Sequence, residues 1–293
     1  MTDPTFTEYA RLARVVVKHA RVAFDSQARI DAQWRDLHYT SAPDPGRAAA
    51  DYDAFLALVT SRGAEALALP PGDGVGLDSI YVRDASIVTP RGMVLCGMGK
   101  RQRAGEPGAQ RGAFEAWGVP VAGAIEPPGR LEGGDLVWLD RRTVVVGRGY
   151  RTNDAGIAQF GTLLAGAVDE IVVVPLPHWR GPGDVFHLMS ILSPVDADLA
   201  VVYSPLMPVP LRERLLDRGM TLVEVPDDEF DLMGANVLAI APRTCVMAAG
   251  APETRRRLEA AGAEVLVYDG AEISLKGGGG PTCLTRPVVR DDA

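Results

Sequence analysis

The sequence predicts an α/β fold in which similar units repeat around a propeller. Short runs of β-branched apolar residues alternate with helical stretches, and related segments recur at intervals of roughly fifty residues. The segments DSIYVRD, DLVWLDR, DVFHLMS and NVLAIAPR start the repeats at Asp78, Asp135, Asp184 and Asn236. Each is interpreted as a strand that is followed by a second strand and then a helix.

The individual elements follow from local patterns. Runs of β-branched residues predict strands, because such side chains fit a pleated, half-buried surface. In chain order, the predicted strands are 15–17, 80–82, 93–95, 144–146, 171–174, 199–202, 237–240 and 265–267. Longer stretches predict helices, two of which end close to Gly63 and Gly262, as helix C-termini often do. The predicted helices are 24–35, 48–61, 154–164, 211–217 and 252–261.

The two ends of the chain supply a fifth repeat. RVVVKH near the N-terminus and LTRPVV near the C-terminus both have the pattern of strands, and joining them would close the ring. The chain contains no Pro/Ser-rich linker. The sequence therefore predicts a single catalytic domain over residues 1–293.

Composition excludes several classes of partner. The 293 residues carry a formal net charge of -8 and no stripe of Lys or Arg with interleaved aromatic residues, so nucleic acid is not an expected partner. The N-terminus has no signal-peptide pattern, and no apolar run approaches membrane-spanning length. The three cysteines are an odd number and are too far apart for a CxxC pair. These features predict a cytoplasmic protein that does not bind a membrane.

The centre of the ring is the expected place for chemistry. Residues that open each repeat would point towards a common axis and meet there. These residues are Asp78, Asp84, Glu132, Asp135, Asp184, His187 and the loop of Cys283. The alternative for each acid taken alone is that it caps a turn.

Cys283 is the candidate nucleophile. It follows Gly277–Gly280 and Pro281 in the stretch KGGGGPTCLTR, so its surroundings form a glycine-rich turn. Backbone N–H groups in such a turn are expected to lower the pKa of the thiol and to hold a developing negative charge. Cys96 and Cys245 lie in apolar runs and are expected to be inert core thiols.

A thiol nucleophile also needs a partner for proton transfer. Of the four histidines, His187 opens a repeat and is the one expected to reach the ring centre. The alternative is a structural histidine. Glu132, in LEGGD, precedes a Gly-Gly turn and is expected to orient the histidine or to bind a cationic substrate. The alternative for Glu132 is an exposed turn residue.

The motifs LEGGD, HLxS at His187, GANVL and KGGGGPTCLTRP resemble those of the guanidino-group-modifying enzymes, across about residues 15–290. The resemblance implies the pentein fold, a five-bladed pseudo-symmetric α/β-propeller of ββαβ modules. It also implies that Cys283 attacks a guanidinium carbon and forms a thiouronium intermediate. By the same resemblance, His187 would protonate the departing amine and then activate water. Glu132 would hold the imidazole, and Asp84 would pair with the guanidinium.

Further matches are similar to the dimethylarginine dimethylaminohydrolase branch. Arg151, in the RTN motif, and Arg103, in MGKRQRAGE, would bind the substrate carboxylate. Asp78 would lie near the substrate amine. Without the resemblance, both arginines would be interpreted as exposed surface charges.

Met189 separates the branches of the superfamily. Arginine deiminases and amidinotransferases carry an acid two residues after the catalytic histidine, whereas this chain has Met189 there. An uncharged side chain suits an N-alkylated guanidine, although the dimethylarginine branch commonly has lysine. The predicted activity is hydrolysis of Nω-methylated arginine to citrulline and a methylamine, without a metal or other cofactor. The alternatives are a hydrolase of arginine or a related guanidino or ureido compound, and a non-catalytic pentein binding protein. The expected partner is a small guanidino molecule, and a homodimer is compatible with the resemblance.

Overall fold

Five sheets of three strands each form the scaffold in the computed structural model, which describes residues 5–184 and 186–291. The strands are β1 Arg11–Val17, β2 Glu65–Ala68, β3 Ser86–Thr89, β4 Gly92–Leu95, β5 Val121–Ala124, β6 Leu136–Asp140, β7 Thr143–Arg148, β8 Glu170–Pro175, β9 Leu192–Asp196, β10 Leu199–Val202, β11 Thr221–Glu224, β12 Leu238–Ala241, β13 Thr244–Ala248, β14 Glu264–Tyr268 and β15 Arg286–Asp291. The helices are α1 Ala20–Ala23, α2 Gln27–Gln33, α3 Pro45–Thr60, α4 Glu106–Ala116, α5 Asp154–Leu164, α6 Val209–Asp217, α7 Asp227–Phe230 and α8 Pro252–Ala260. None of the helices in the described residues is long and apolar enough to cross a membrane.

Every sheet has the same topology. The first strand pairs antiparallel with the second, and the second pairs parallel with the third, as in β3-β4-β5 and β6-β7-β8. A parallel pair needs a crossover connection, and helices α3, α4, α5, α6 and α8 each lie between the second and third strands of a sheet. The repeating unit is therefore ββαβ, as the sequence predicts.

The fifth sheet joins the two ends of the chain. Its order is β15-β1-β2, with β15 antiparallel to β1 and β1 parallel to β2. The prediction that RVVVKH and LTRPVV complete a fifth repeat is confirmed.

Two predicted elements are wrong. Residues 80–82 do not form a strand, because Leu77–Ile80 is a 3₁₀ helix and the first strand of this repeat is β3. Ile80 and Val82 are nonetheless fully buried, and a short buried apolar run does not by itself distinguish a strand from other structure. The predicted helix 24–35 is interrupted by Asp25, whose φ is 58°, and restarts at the N-cap Ser26. Helix α4, in a polar stretch, was not predicted.

The segments that precede the first strands meet in a closed ring of hydrogen bonds. The Arg83 N–H donates to the Cys283 carbonyl (3.2 Å) and the Gly133 N–H to the Asp84 carbonyl (3.0 Å). The remaining junctions are Leu188 N–H to Asp135 Oδ1 (3.1 Å), Ser193 Oγ to the Ala235 carbonyl (2.7 Å) and Thr282 N–H to Asn236 Oδ1 (3.0 Å). Each repeat is thereby joined to the next at the same end of its sheet, which is where the polar residues of the candidate site lie.

Candidate active site

A buried histidine–carboxylate pair lies at the ring centre. Nε2 of His187 is 2.8 Å from Oε2 of Glu132, and neither residue is more than 4% exposed. Gly134 lets the segment before β6 approach the segment before β9 closely, because a Cβ at Gly134 would lie 2.7 Å from His187 Nδ1. The predicted proximity of these two residues is therefore present in the structure.

Glu132 is held as an anion. Burial alone would raise its pKa, but the hydrogen bond from His187 and the charge of Arg151 outweigh burial and lower the pKa. Its Oε1 also accepts the N–H groups of Gly99 (2.8 Å) and Lys100 (3.2 Å). Several donors on one carboxylate favour its charged form.

His187 is correspondingly held as a cation. Burial opposes its charge, but the carboxylates of Asp84, Asp135 and Glu132 prevail and raise the pKa of His187 to about 9. At neutral pH, the ring is therefore an imidazolium, which can donate a proton to a leaving amine.

Asp135 anchors the backbone next to His187. Its Oδ1 accepts the N–H of Leu188, and its Oδ2 accepts the hydroxyl of Thr152 at 2.6 Å. Burial raises the pKa of Asp135 to about 6. Asp184, which was expected at the ring centre, is only half-buried and lines the outer part of the cavity described below.

Cys283 lines the same cavity as His187, and its sulfur has two polar neighbours, Nδ2 of Asn236 and, at 3.9 Å, Oγ1 of Thr282. Nδ2 of Asn236 lies 3.6 Å from Sγ. Burial raises the pKa of the Cys283 thiol, and the charge of Asp84 adds to the increase. The expectation that glycine amides lower this pKa is therefore wrong for the free protein, because desolvation and a nearby anion dominate.

The glycine run serves close packing more than unusual backbone conformation. Only Gly278 has a positive φ, at 75°. A Cβ at Gly277 or Gly279 would overlap the Tyr81 side chain, and one at Gly280 would lie 2.5 Å from Asn236 Oδ1. Tyr81 and Asn236 thus require glycine at these positions to seat the cysteine loop.

Asp84 presents a free carboxylate oxygen to the site. Its Oδ2 accepts Nη1 of Arg103 at 2.5 Å. Its Oδ1 is buried, lies 3.9 Å from His187 Nδ1 and has no hydrogen-bond partner among the described residues. Asp84 lines a recess that shares His187, Cys283 and Lys100 with the larger cavity. A buried acceptor without a donor is costly, and a cationic donor entering the recess would satisfy it.

The two predicted carboxylate-binding arginines are buried in ion pairs. Arg151 donates to Glu132 (3.1 Å) and lines neither the cavity nor the recess. Arg103 borders the recess, but its donors are already used. Its Nε and Nη2 donate to Glu106 at 2.9 and 2.8 Å, and its Nη1 donates to Asp84. In this arrangement both arginines orient carboxylates, and the alternative of exposed surface charges is excluded.

Asp78 also lies in the recess, bound to a lysine that the sequence analysis did not single out. Its Oδ2 accepts Nζ of Lys100 at 2.6 Å, and Nζ also donates to the Leu37 carbonyl at 3.0 Å. Asn236 was likewise absent from the predicted site. Its position at the start of a repeat, equivalent to those of Asp135 and Cys283, was the available signal.

The cavity has a volume of about 400 Å³. Its inner end is polar, whereas its outer part is lined by apolar and aromatic side chains. Among the latter are Trp179, Phe186, Met189, Phe230 and Met233. Met189 is 3% exposed and packs in the core beside the site.

The other two thiols are buried in apolar surroundings, where burial raises the pKa of Cys96 and raises that of Cys245 to about 12, as expected for inert thiols.

Asp84, Glu132 and His187 also bring potential metal ligands together. One ligand atom from each residue lies within 4.8 Å of the others. The sequence spacing had not suggested such a group. Two of these atoms already pair with each other as Glu132 Oε2 and His187 Nε2. The absence of a metal from the chemistry stays a prediction.

The family model and the related sequences indicate the same protein family. The arginine deiminase family model matches residues 78–216 and 209–290. Dimethylarginine dimethylaminohydrolase of Streptomyces coelicolor is 31% identical over 242 residues, which cover 83% of this chain and 86% of that protein. The uncharacterized protein YkgA of Bacillus subtilis is 26% identical and covers 98% of this chain and 95% of its own. The arginine deiminase of Rhodococcus erythropolis is 29% identical over 213 residues, and the match spans 62% of this chain and 49% of that enzyme.

Solved structures share the fold. The dimethylarginine dimethylaminohydrolase of Pseudomonas aeruginosa in complex with citrulline superposes with a TM-score of 0.74 at 22% identity, covering 94% of this chain and 98% of that one. The N-terminal domain of ArgZ, a cyanobacterial arginine dihydrolase, bound to substrate gives a TM-score of 0.78 at 20% identity with the same coverage. At these identities the likeness concerns the fold.

Proposed function

This chain belongs to the arginine deiminase family, within the pentein superfamily of guanidino-group-modifying enzymes, and we propose that it hydrolyses a C–N bond of a guanidino substrate through a covalent Cys283 intermediate. The observation that carries the proposal is the buried, unpartnered Oδ1 of Asp84 beside Cys283 and the His187–Glu132 pair. A guanidinium is a planar cation with N–H donors, and it offers what that oxygen lacks.

The first half of the reaction uses His187 as an acid. Burial and the charge of Asp84 raise the pKa of the Cys283 thiol, and a guanidinium bound at Asp84 offsets the Asp84 charge, so the thiol can release its proton to water and form the thiolate. The thiolate adds to the guanidinium carbon and forms a C–S bond. The imidazolium of His187 gives its proton to one nitrogen, and the C–N bond breaks to release the amine. A cationic thiouronium remains on Cys283.

The second half uses the neutral His187 as a base. It takes a proton from water as the hydroxyl adds to the thiouronium carbon. The C–S bond then breaks, the sulfur leaves as thiolate and takes the proton that the product loses, which gives a urea and restores the Cys283 thiol. Glu132 keeps the ring in place through both halves, since its hydrogen bond to Nε2 does not depend on the substrate.

We further propose that the substrate is an Nω-methylated arginine, which would yield citrulline and a methylamine. Met189 supports this choice, because an uncharged side chain on the cavity wall cannot pair with a second guanidinium edge, while it can contact N-methyl groups. The 31% identity to a dimethylarginine dimethylaminohydrolase points the same way.

The second candidate is hydrolysis of arginine or a related guanidino or ureido compound. The family model and several arginine deiminases among the relatives favour it, although this chain spans about half the length of those enzymes. The remaining alternative, a pentein without catalysis, would leave the unpartnered Asp84 oxygen and the charged His187–Glu132 pair without a role.

A substrate screen separates these candidates. Arginine, monomethylarginine, dimethylarginine and agmatine are each supplied to the wild type and to Cys283→Ser, and ureido product, ammonia and methylamines are quantified. We expect methylated arginines to give citrulline and methylamine only with the wild type. Turnover of unmethylated arginine alone would contradict the methylarginine assignment, and no turnover of any of these guanidines would contradict hydrolysis of a guanidino substrate.

A further inference from the structure

A second cavity, of about 140 Å³, lies at the C-terminal ends of β1 and β2. Its walls are Lys18, which follows β1, residues 69–73 with Val75 and Ser79, and one face of α4 carrying Glu106, Ala109 and Gln110. Within the described residues it shares no lining residue with the active-site cavity or its recess. It is therefore a separate space.

Lys18 contributes an amine that has no hydrogen-bond partner among the described residues. The residue is 4% exposed, and its backbone N–H donates to the Tyr52 hydroxyl at 3.2 Å. Its Nζ forms no hydrogen bond or ion pair with any residue in the described ranges, although Glu106 attracts it from a distance. Burial, followed by the charge of Arg29, lowers the pKa of Lys18. An ammonium on the wall of this cavity favours a ligand that offers an acceptor, preferably an anionic one.

Gln110 contributes the opposite requirement. Its Nε2 donates to the Val82 carbonyl at 2.8 Å, which fixes the orientation of the amide. Its Oε1 is buried and has no donor among the described residues, and the residue is 2% exposed. A ligand that complements this cavity therefore carries a hydrogen-bond acceptor near Lys18 and a hydrogen-bond donor near Gln110.

The remaining walls limit the size and polarity of such a ligand. Leu69, Pro70, Pro71, Val75 and Ala109 provide apolar surface. The volume of about 140 Å³ corresponds to roughly five water molecules at about 30 Å³ each. This space suits a short aliphatic chain attached to one charged and one hydrogen-bonding group.

We propose that this cavity binds a small 2-amino or 2-hydroxy carboxylic acid. The carboxylate accepts from Lys18, the neighbouring ammonium or hydroxyl donates to Gln110 Oε1, and the short aliphatic group contacts the proline and leucine side chains.

Calorimetric titration with four small probes tests the site. L-alanine and L-lactate carry both groups, propionate lacks the donor, and alaninamide lacks the carboxylate. The wild type is expected to bind alanine or lactate saturably and to bind propionate and alaninamide more weakly. In Lys18→Met, the affinity should fall about tenfold to a hundredfold, as expected for loss of a hydrogen bond to a charged group. Arg142→Met, which changes an exposed arginine, should bind as the wild type does.

Two further measurements distinguish ligand binding in this cavity from binding in the active site and from misfolding of the Lys18 variant. Protein whose Cys283 has been alkylated should still bind alanine, because the cavities are separate. In Gln110→Leu, alanine should bind no better than propionate. The proposal is overturned if the wild type binds none of the probes and the cavity holds water only, if binding is unchanged in both variants, or if alkylation of Cys283 abolishes it.

Discussion

The buried pair of Glu132 and His187 governs the acid–base behaviour of the site. The pKa of His187 is raised from 6.5 to about 9 in the folded protein. A raised pKa means that the stabilisation is fully present below pH 6.5 and is lost as the pH rises through about 9. This group thus contributes on the order of 3 kcal/mol to the free energy of unfolding at low pH.

The first prediction follows from that pair. In Glu132→Gln, the anion that accepts from Nε2 is lost, so the pKa of His187 should fall towards 6.5 and the pH dependence of stability between pH 6.5 and 9 should flatten. NMR titration of the imidazole and denaturant unfolding at several pH values measure both effects. Glu126→Gln, at an exposed glutamate, is the matched control. A His187 pKa that stays near 9 in Glu132→Gln would refute the assignment.

Asp84 and Cys283 together predict selective alkylation. Because the pKa of the Cys283 thiol is raised in the free protein, neutral iodoacetamide should react slowly at pH 7. A cationic haloacetamidine offsets the Asp84 charge and should react at least about tenfold faster, relative to a free thiol, which corresponds to ~1.4 kcal/mol.

Peptide mapping identifies the labelled cysteine, and Asp84→Asn should remove the preference for the cationic reagent. Equal labelling of Cys96, Cys245 and Cys283 would count against the nucleophile assignment, as would a preference that survives in Asp84→Asn.

Among the secondary-structure elements, the sequence predicted the existence of the repeats better than the position of the first strand within each repeat. The apolar runs at β4, β7 and β10 identified the second strands, because these strands are buried on both faces. The sequence predicts strands in the segments that start at Asp78 and Asp184, whereas in the structure these segments lie before the first strands β3 and β9. An apolar run buried in a turn has the same composition as one in a strand, and only tertiary pairing distinguishes the two.

The motifs predicted the three candidate catalytic residues, whereas they did not predict the contacts that support them. Cys283, His187 and Glu132 each adjoin a glycine-rich turn or a repeat start, which the sequence displays. The pairing of Arg151 with Glu132 and of Arg103 with Glu106 depends on which charges meet after folding. No local pattern reveals such pairings, and the prediction that both arginines bind the substrate carboxylate comes from the resemblance to the dimethylarginine branch alone.

The cysteine loop gives an element-scale prediction. Gly278→Ala places a Cβ in open space at a positive φ and should cost about 1 kcal/mol of stability. Gly279→Ala drives a Cβ into the Tyr81 ring and should cost about 1–3 kcal/mol or more while displacing Cys283. Denaturant unfolding and the alkylation rate of Cys283 report the two effects. If Gly278→Ala proved the more damaging, the packing explanation of the run would be wrong.

At the scale of the whole molecule, the ends of the chain close the ring. Arg290 in β15 is buried and donates to the Ala10 carbonyl at 2.5 Å and to the Ala239 carbonyl at 2.9 Å. It therefore links the N-terminal segment, the C-terminal strand and β12. The organisation as one catalytic domain over residues 1–293, the cytoplasmic location and a homodimer stay predictions.

Closure by Arg290 can be tested with two similar substitutions. Arg290→Met leaves two buried carbonyls without donors and should lower the free energy of unfolding by about 1–3 kcal/mol for each carbonyl. Arg11→Met removes only a partly exposed ion pair with Asp291 and should cost at most about 1 kcal/mol. Denaturant unfolding compares them, and equal effects would argue against a role for Arg290 in closure.

Covalent capture during turnover tests the central claim most directly. The wild type is mixed with dimethylarginine, quenched in acid within a turnover, digested and analysed by mass spectrometry. We expect the peptide containing Cys283 to gain the mass of the substrate less dimethylamine, and we expect no adduct in Cys283→Ser. Product formation without any adduct on Cys283, or with an adduct on Cys96 or Cys245, would contradict it.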